Sequence, residues 1–428
     1  MIYTLAIHLY ALVVACLSPF HRKARMLRCG QWQTNGILRE QTGHPVRYIW
    51  FHAASLGEFE QGRPLMEKIK SLYPNYKILL TFFSPSGYEV RKNYPGADVI
   101  CYLPFDTPYR VRKFIRLANP CMAFFIKYEF WANYLSELKR QKIPVYSLSA
   151  IFRPNQLFFR WYGRPYLKAL RCFDHLFVQD QASAELLSRY GIRHTTVAGD
   201  TRFDRVLDVQ QQSRPIPLVE AFVRAVRDEA QLTLIAGSSW PPDEAVFIPY
   251  FNEHPEIRLI IAPHEIDRGH LLEIRSRLKR PSMLLSEADE RCIAQTDCLI
   301  VDSFGLLSSI YRYGDIAYIG GGFGKGIHNI LEAAVYGIPV LFGPAHHKFK
   351  EAKDIIAAGG GFLVSGEKAW NIRMNEWLEN PSLLQAAGRA AGDFVRNHAG
   401  ATQTICQFLH LSEEGFTHST EIRNQIIW

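Results

Sequence analysis

Short apolar runs rich in β-branched residues alternate with segments of helical periodicity along most of the chain, and this alternation limits the possible folds more than any other feature. Strands that are apolar throughout and are separated by helices belong to parallel sheets covered on both faces. Seven such runs lie in the first half: Val46–His52, Ile78–Phe83, Val99–Leu103, Met122–Ile126, Val145–Ser149, Leu176–Gln179 and Thr195–Ala198. Six lie in the second half: Leu232–Ala236, Leu259–Ala262, Cys298–Val301, Ile316–Ile319, Val340–Phe342 and Phe362–Val364. The pattern predicts an α/β protein with two doubly wound, Rossmann-like domains.

A polar stretch, DVQQQSRPIP at residues 208–217, separates the two sets of runs, and its two prolines favour a linker. The predicted division is an N-terminal apolar segment at residues 1–20, a first α/β domain at 21–207, a linker at 208–216, a second α/β domain at 217–400 and a C-terminal segment at 401–428. Ligands of such sheets bind at the carboxyl ends of the strands. We therefore expect the functional site in a cleft between the two domains.

Residues 2–18 contain no Lys, Arg, Asp or Glu, whereas basic residues crowd the stretch that follows. These are His21, Arg22, Lys23, Arg25, Arg28, Arg39 and Arg47. A cleavable signal peptide has its positive charge before the apolar part, and the positive-inside rule predicts that the rest of this chain stays cytoplasmic. We expect segment 1–20 to contact an anionic membrane surface, although spanning, lying in the interface and packing on the domain are all compatible with its length. A solvated basic face is the alternative interpretation of the cluster.

Composition narrows the function classes. The formal charge of +8 and the pI of about 9.0 favour an anionic partner. The mean hydropathy of −0.09 excludes a transporter with many spans, and the sequence contains no recognised nucleic-acid-binding motif. The eight cysteines are scattered singly, and His346 and His347 are adjacent rather than spaced as metal ligands. We therefore predict neither a metal nor a nucleic-acid partner.

Three charged residues follow predicted strands of the first half. Glu58 lies in the first turn of a predicted helix, where the dipole favours a carboxylate that can accept a proton; ordinary helix stabilisation is the alternative. Glu129 ends the segment IKYE after a buried strand, and a structural ion pair with Lys127 is its alternative role. Arg202, in GDTRFDR, suits a phosphate or a developing negative charge, unless it pairs with Asp204 at the surface.

The second half contains the signals of a nucleotide site. GGGFGKG follows the predicted strand IAYI directly, and glycines there let backbone amides and a helix N-terminus approach a phosphate. The helix is predicted to begin near His328, and Asn329 and Glu332 beside it suit ribose hydroxyls. Ser238 or Ser239, after the first strand of this half, is available to bind a phosphate or to cap a helix. The second half is therefore predicted to bind the nucleotide.

Motifs along nearly the whole chain resemble those of bacterial 3-deoxy-D-manno-octulosonic acid (Kdo) transferases of lipid A biosynthesis. They are LSPFHRKARM after the apolar segment, S-[VL]-G-E at Ser55–Glu58, E-x-W at Glu129–Trp131, [KR]-F-D at Arg202–Asp204, A-G-S at Ala236–Ser238, A-P-x at Ala262–His264, G-x-H-N-x-L-E at Gly326–Glu332 and F-G-P at Phe342–Pro344. The chain departs from the family pattern at His264, where Arg is frequent, at Leu306, where Glu is usual, and at Lys127, where an acidic residue is common.

The resemblance implies a B-type glycosyltransferase fold in which the first domain binds the acceptor, the second binds CMP-Kdo and a final helix returns to the first domain. It implies an inverting transfer of Kdo from CMP-Kdo to a lipid A precursor (lipid IVA), without cofactor or metal, at the cytoplasmic face of the cell inner membrane. Glu58 is implied to be the base, with Glu129 and Arg202 supporting the transition state. Together with Ser238 and Ser239, the residues implied to line the CMP are Pro263, His264, Gly305, Leu306, Leu307, Asn329, Ile330, Leu331 and Glu332.

Two alternatives stay open at this point. One is another nucleotide-sugar enzyme of the same fold, such as a UDP-GlcNAc transferase or a UDP-GlcNAc 2-epimerase. The other, suggested by the basic pI alone, is a non-enzymatic protein that binds a membrane surface or nucleic acid.

Overall fold

The computed structural model describes residues 2–41, 48–225 and 231–411. The strands are β1 Tyr48–Ala53, β2 Lys77–Phe82, β3 Val99–Tyr102, β4 Pro120–Ile126, β5 Val145–Ala150, β6 His175–Val178, β7 Thr195–Val197, β8 Leu232–Ser239, β9 Ile257–Pro263, β10 Ser282–Leu284, β11 Cys298–Ile300, β12 Ile316–Ile319, β13 Val340–Phe342 and β14 Gly361–Leu363. The helices are α1 Ile2–Leu17, α2 Arg22–Gln41, α3 Leu56–Leu72, α4 Pro85–Arg91, α5 Pro108–Ala118, α6 Ala132–Arg140, α7 Arg164–Leu170, α8 Gln181–Arg189, α9 Arg202–Gln212, α10 Pro217–Arg224, α11 Pro241–Glu253, α12 Arg268–Arg277, α13 Glu290–Ile293, α14 Leu307–Ile310, α15 Leu331–Ala334, α16 Lys350–Ala357, α17 Glu367–Glu379, α18 Pro381–His398 and α19 Ala401–Phe408.

Contacts divide the chain into two compact units. Unit 1 comprises the described residues of Met1–Arg205 and Ala399–Trp428, and unit 2 comprises those of Val206–His398. Each contains a parallel seven-stranded sheet: sheet A of unit 1 has the order β3-β2-β1-β4-β5-β6-β7, and sheet B of unit 2 has the order β10-β11-β9-β8-β12-β13-β14. The predicted α/β class with two doubly wound sheets is confirmed.

All thirteen predicted runs correspond to strands, although positions 46 and 47 of the first run lie outside the described residues. The apolar pattern does not predict β10, because this edge strand has only three residues and their side chains are half-buried. An edge strand needs apolar residues on fewer sides than a central strand, so its sequence signal is weaker.

Both faces of sheet A are buried, which explains why its strands are apolar throughout. In β1, Trp50 faces a core completed by α2, α5 and α6, whereas Ile49 and Phe51 face a second core completed by α3 and α19. Trp50 is fully buried, and its Nε1 donates a hydrogen bond to Thr81 Oγ1 at 2.8 Å. Truncating a buried aromatic side chain to alanine costs about 3–5 kcal/mol, so these rings contribute much of the stability of unit 1.

Helix α2 lies against the carboxyl end of β3 because residue 30 has no side chain. A Cβ at Gly30 would lie 2.2 Å from the Tyr102 ring, so only glycine lets the helix approach this closely. Two α2 side chains then donate to the backbone at the end of the strand: Thr34 Oγ1 to Tyr102 O and Gln31 Nε2 to Leu103 O, each at 2.8 Å. These bonds fix α2 beside the loop that follows β3.

Helix α1 is tied to the same region but keeps an apolar surface. Tyr3 donates its hydroxyl hydrogen bond to Asp106 Oδ2 at 2.6 Å, and burial raises the pKa of Asp106 to about 6. The exposed large hydrophobic side chains of α1 are Leu5, Leu9, Tyr10, Leu12, Val13 and Leu17. Among the described helices, none is by itself long and apolar enough to cross a bilayer; only α1 and α2 together, bent by 117°, have the length and composition.

The segment predicted as a linker, residues 208–216, begins inside a helix. Helix α9 continues to Gln212 and α10 starts at Pro217, so the extended connection is only four residues long. The polar run VQQQ is compatible with a helix or with a linker, because glutamine is both a good helix former and a frequent surface residue.

Helix α19 packs on unit 1 and is held there by an acidic side chain from the start of α9. Asp204 accepts hydrogen bonds from Thr402 N at 2.6 Å and from Thr402 Oγ1 at 2.7 Å, and Ile405 and Cys406 enter the core beside α3. The rest of the predicted C-terminal helix, residues 412–428, lies outside the described residues.

Two glycines bring the turns after neighbouring strands of sheet B into direct contact. A Cβ at Gly322, after β12, would lie 2.4 Å from the backbone nitrogen of Gly343, after β13. Backbone atoms cannot move aside as a flexible side chain can, so any larger residue at position 322 forces the two turns apart.

We expect Gly322→Ala to lower the free energy of unfolding by about 1–3 kcal/mol, the usual cost of overpacking a close contact. Gly324→Ala is the matched control, because the nearest atom to a Cβ there is 3.6 Å away. Thermal unfolding followed by circular dichroism measures both variants. Equal melting temperatures for the two would show that the turns after β12 and β13 are not closely packed.

Candidate functional site

The two predicted carboxylates of unit 1 follow adjacent strands in the middle of sheet A. Glu58 follows β1 and Glu129 follows β4, and these strands pair directly although they are not consecutive in the chain. From β1 the chain proceeds to β2 and β3 on one side, whereas β4 to β7 extend the other side. Ligands of doubly wound sheets bind at such a point of reversal. The structure therefore brings these two residues together at the position that the fold favours for chemistry.

Glu58 lies in the first turn of α3, and a short turn orients its carboxylate. Glu58 Oε2 accepts hydrogen bonds from Ser55 N at 2.8 Å and from Ser55 Oγ at 3.0 Å. Burial and the negative charge of Glu129 raise the pKa of Glu58, while Ser55 and His52 act in the opposite direction. A carboxylate with a raised pKa is a better proton acceptor once it is ionised.

Glu129 is buried and belongs to a hydrogen-bonded network that crosses three strands of sheet A. Trp131 Nε1 donates to Glu129 Oε2 at 2.6 Å, and His52 Nε2 lies 3.1 Å from the same oxygen. His52, in β1, also places its Nδ1 2.9 Å from Thr81 Oγ1 and 3.1 Å from Thr81 O, in β2. The network fixes Glu129 beside Glu58.

Both ring nitrogens of His52 have hydrogen-bond partners, so the ring is held in one orientation. Nδ1 lies within hydrogen-bond distance of Thr81 Oγ1 and Thr81 O. On the other side of the ring, Trp131 Nε1 donates to His52 Nε2 at 3.1 Å, and Glu129 Oε2 lies 3.1 Å from the same nitrogen. His52, Trp131 and Glu129 therefore contact one another pairwise, which fixes the Glu129 carboxyl group.

Arg202 begins α9 and is bound to a buried carboxylate. Its Nε and Nη2 lie 3.0 and 2.7 Å from Asp200 Oδ2. Burial opposes ionisation of Asp200, but the Arg202 guanidinium outweighs it and holds the pKa of Asp200 below its usual range. Gln61, one turn after Glu58 in α3, donates to both oxygens of Asp200 at 3.1 Å. A chain of contacts thus links Arg202 to the helix that carries Glu58.

In sheet B the point of reversal lies between β8 and β12, and three ring side chains gather in the loops after the strands of this sheet. The His264 ring, after β9, stacks on Trp240 at 4.7 Å between ring centroids and on His328 at 4.4 Å. Trp240 Nε1 lies 3.3 Å from His328 Nε2 and donates to it. Burial and the nearby His264 lower the pKa of His328, so its ring is neutral and able to accept this hydrogen bond.

The glycine-rich turn after β12 uses many of its own amides. Gly321 N donates to Asp243 Oδ2 at 2.8 Å, and the same oxygen accepts from Trp240 N at 3.0 Å. The backbone N–H groups of Gly320, Gly324, Gly326 and His328 donate to backbone carbonyls. Asp243 therefore occupies one of the donors that a phosphate would need, which restricts how this turn can hold an anion.

Asn329 and Glu332 lie next to each other at the start of α15. Asn329 Nδ2 donates to Glu332 Oε1 at 2.9 Å, and Leu331 N donates to Asn329 Oδ1 at 3.2 Å. The helix begins at Leu331 rather than near His328 and has only four residues, so it provides a smaller dipole than the sequence suggests. Ile330 and Leu331 point into the core, which leaves only their backbone available to a ligand.

The remaining predicted nucleotide residues lie after β8, β9 and β11. Ser239 is fully buried and donates through Oγ to Glu244 at 2.9 Å, whereas Ser238 is partly exposed with a left-handed φ of 54°. Glu244 in turn lies 3.0 Å from His270 Nε2. The remaining positions are Pro263, buried at the end of β9, and Gly305, Leu306 and Leu307, which lead into α14. Among the described residues no three His, Cys, Asp or Glu side chains converge as a metal site.

Sequence reasoning missed His52, Thr81, Asp200 and Gln61. A signal exists for the first two, because each is a polar residue near the end of an otherwise apolar strand and the two are paired in the register of β1 and β2. Such residues in buried strands need a hydrogen-bond partner, and the partner indicates where a polar site begins. No comparable signal marks Gln61, because glutamine in a helix is usually solvated.

Solved structures show which class of protein has this fold. UDP-GlcNAc 2-epimerase from Neisseria meningitidis matches 85% of this chain and 100% of its own with a TM-score of 0.59 at 14% identity. A glycosyltransferase from Rickettsia africae matches 88% of this chain and 100% of its own with a TM-score of 0.53 at 12% identity. The fold is therefore the B-type fold of glycosyltransferases and nucleotide-sugar epimerases.

Sequence comparison relates the chain to one family of enzymes. Residues 26–205 match the family model of 3-deoxy-D-manno-octulosonic-acid transferases. The transferase of that name from Aquifex aeolicus is 28% identical over 77% of this chain and 86% of its own length, and the one from Bordetella pertussis is 26% identical over 83% and 85%. The chain is similar to Kdo transferases over most of its length, and these similarities support a glycosyltransferase that transfers Kdo.

Removing the charge of Glu129 tests the coupling between the two carboxylates. We expect Glu129→Gln to lower the pKa of Glu58, because a neutral side chain no longer opposes its ionisation. The titration of a ¹³C-labelled Glu58 carboxyl, followed by NMR, then has its midpoint at a lower pH. Glu137→Gln is the control, since Glu137 pairs with Arg140 on α6 and should leave the titration unchanged. An unmoved midpoint in Glu129→Gln would contradict the coupling.

Proposed function

We propose that the enzyme transfers Kdo from CMP-Kdo to a hydroxyl of a lipid A precursor, with inversion at the anomeric carbon and with Glu58 as the general base. The observation that carries the proposal is the pair of carboxylates at the point of reversal of sheet A, one of which has a raised pKa and a fixed orientation. The family supplies Kdo as the transferred sugar. The basic first half of the chain suits a phosphorylated acceptor.

In the proposed reaction the acceptor oxygen forms a bond to the anomeric carbon of Kdo as that carbon loses its bond to the phosphate oxygen of CMP. The acceptor hydroxyl proton passes to the Glu58 carboxylate, and CMP leaves with the electron pair of the broken bond. One displacement on one face of the sugar gives inversion. The Ser55 hydrogen bonds to Oε2 hold the carboxylate in position for this transfer.

Glu129 and Arg202 are assigned supporting roles. The sugar carbon becomes electron-poor in the transition state, so a neighbouring carboxylate stabilises it. Glu129 is assigned this role, and its hydrogen bonds with Trp131 and His52 hold its carboxyl group in position. Arg202 stabilises negative charge on the departing phosphate, and its bonds to Asp200 hold the guanidinium in one orientation.

Unit 2 is assigned the nucleotide. Glu332 and Asn329 are adjacent, so their exposed edge offers both an acceptor and a donor to ribose hydroxyls. The stacked rings of Trp240, His264 and His328 offer aromatic surface and imidazole nitrogens at the carboxyl edge of sheet B. We assign no metal or other cofactor to this site, since one phosphate of CMP is a single dianionic group that imidazoles and backbone amides are able to stabilise.

Attachment to the cytoplasmic face of the inner membrane is part of the proposal. The exposed leucines of α1 form an apolar surface that water does not favour, and basic residues follow at the start of α2. An apolar helix with adjacent positive charge binds anionic lipid through both its parts. Arg47, the last member of the predicted basic cluster, lies outside the described residues.

A UDP-GlcNAc 2-epimerase activity is the second candidate, favoured by the shared fold of the Neisseria meningitidis enzyme. At 14% identity this likeness establishes the fold only. The two candidates require different nucleotides, which makes them easy to separate.

Replacing the base provides the first test. We expect Glu58→Gln to lower kcat by about 10²–10⁴-fold, the usual contribution of a general base, while CMP binding is retained. Incubation with CMP-Kdo and a tetraacylated lipid A precursor, with products weighed by mass spectrometry, measures the loss. Glu89→Gln is the control, because that carboxylate is exposed and pairs with Lys92 on the surface of α4. Wild-type turnover by Glu58→Gln would refute the assignment of the base.

Nucleotide choice provides the second test. We expect CMP, but not UDP, to raise the melting temperature of the protein, because a ligand that binds only the folded state stabilises it. Glu332→Ala should weaken CMP binding about tenfold in calorimetry by removing a ribose contact, whereas Glu367→Ala, on the exposed start of α17, should not change it. Stabilisation by UDP alone would favour the epimerase.

A further inference from the structure

A cavity of about 610 Å³ opens in unit 1 beside the apolar helix α1. It lies between α1, α2, α5 and the loop after β3, and we call it the α1–α5 cavity. Its walls include Val14 from α1, Gln31 and Trp32 from α2, and Phe105 from the loop. The volume is in the range of small-molecule sites, which are about 300–1,000 Å³.

The charged side chains that line the α1–α5 cavity are all positive. Arg28, Arg110 and Lys113 line it, and none of the described residues that line it is acidic. Arg28 Nη1 donates to Ser18 Oγ at 2.9 Å, which orients its guanidinium at the cavity wall, and the Arg110 guanidinium lies 5.5 Å from the Phe105 ring centroid. Three cations without a counter-charge in a partly enclosed space attract a compact anion such as a phosphate.

A row of aromatic rings leads from the carboxylate pair to the cavity. Trp131, which binds Glu129, lies 4.8 Å from Phe83 between ring centroids, and Phe83 lies 6.0 Å from Phe105 in the cavity wall. The row follows the ends of β4, β2 and β3, and the ends of β1 and β3 are about 10 Å apart because adjacent strands are about 4.8 Å apart. This separation suits a disaccharide with its reacting hydroxyl at one end and a phosphate at the other.

We propose that the α1–α5 cavity binds a phosphate group of the acylated sugar acceptor, while the sugar lies along the aromatic row and the acyl chains follow the exposed face of α1. The inference rests on the proposed function for the identity of the acceptor. The cations hold the phosphate, and Leu9 and Leu12 of α1 give the chains an apolar surface. The cavity thereby selects phosphorylated acceptors over unphosphorylated ones.

Two double variants on the same helix test the selection. Arg110→Gln/Lys113→Gln removes two positive charges from the cavity, and Arg112→Gln/Arg116→Gln removes two from α5 positions that do not line it. Transfer of Kdo is measured with acylated glucosamine disaccharides in detergent micelles, with and without phosphate groups. We expect the cavity variant to lose about tenfold of the preference in kcat/KM for the phosphorylated acceptor, through KM, while the control keeps it. Equal preference in both variants would overturn the proposal.

Binding measured without donor separates this inference from the reaction itself. Retention of the phosphorylated disaccharide should be weaker in the cavity variant than in the control, even if no Kdo is transferred to it by the wild type. Weaker retention by the cavity variant, together with no transfer of Kdo by the wild type, would refute the proposed function and support the proposed role of the cavity. Flotation with phosphatidylglycerol vesicles distinguishes the source of the phosphate: if the cavity variant loses vesicle binding but keeps its acceptor preference, the cavity holds a membrane phospholipid and the proposal is wrong.

Discussion

Parallel strand pairing is the constraint on which the rest of the structure depends. Because every strand of sheet A runs in one direction, the loops that follow the strands share one edge, and residues far apart in the chain become neighbours there. Glu58 and Glu129 meet because β1 and β4 pair although two strands separate them in sequence. The same constraint in sheet B gathers Trp240, His264 and His328 after β8, β9 and β12. Because the strands are apolar, both faces of each sheet are buried, and this packing fixes the position of each edge.

The carboxylate pair is costly for the fold, and its surroundings reduce the cost. An uncompensated buried carboxylate costs several kcal/mol, and two like charges nearby add repulsion. For Glu129 the penalty is offset by the hydrogen bonds with Trp131 and His52, each contributing about 1.5–3 kcal/mol when the carboxyl group is charged. Glu58 receives two hydrogen bonds from Ser55 yet still has a raised pKa. The unequal compensation leaves Glu129 fixed in a hydrogen-bonded network and leaves Glu58 with the raised pKa that suits a general base.

The sequence alone predicts the α/β class, all strands but one, and the residues that follow the strands. The apolar runs mark strands that are buried, and nearly all strands of this protein are buried. The edge strand β10 is only half-buried, so it has no such run and is missed. Contacts made by side chains are less predictable. Ser239 looks available after β8 but is buried against Glu244, and Gly321 N looks available to a phosphate but is bound by Asp243. Both contacts are made by the first turn of α11. The direction of its side chains is not encoded in the apolar pattern, and Asp243 lies 78 residues from Gly321 in the chain.

The first turn of α9 shows how such distant contacts make one unit of the site. Asp200 binds Arg202 and Gln61, and Thr201 Oγ1 donates to Gln61 O, so α3 is held at the turn that follows Glu58. In the same first turn of α9, Asp204 holds the start of α19, whose apolar residues enter the core beside α3. The short segment from Asp200 to Asp204 thus fixes α3 in two independent ways, directly through Gln61 and indirectly through α19. The orientation of a base depends on the helix that carries it, so the R-F-D segment positions Glu58 without contacting it. This structural role, and not its charge alone, explains why Asp204 lies so close to Arg202 in the chain.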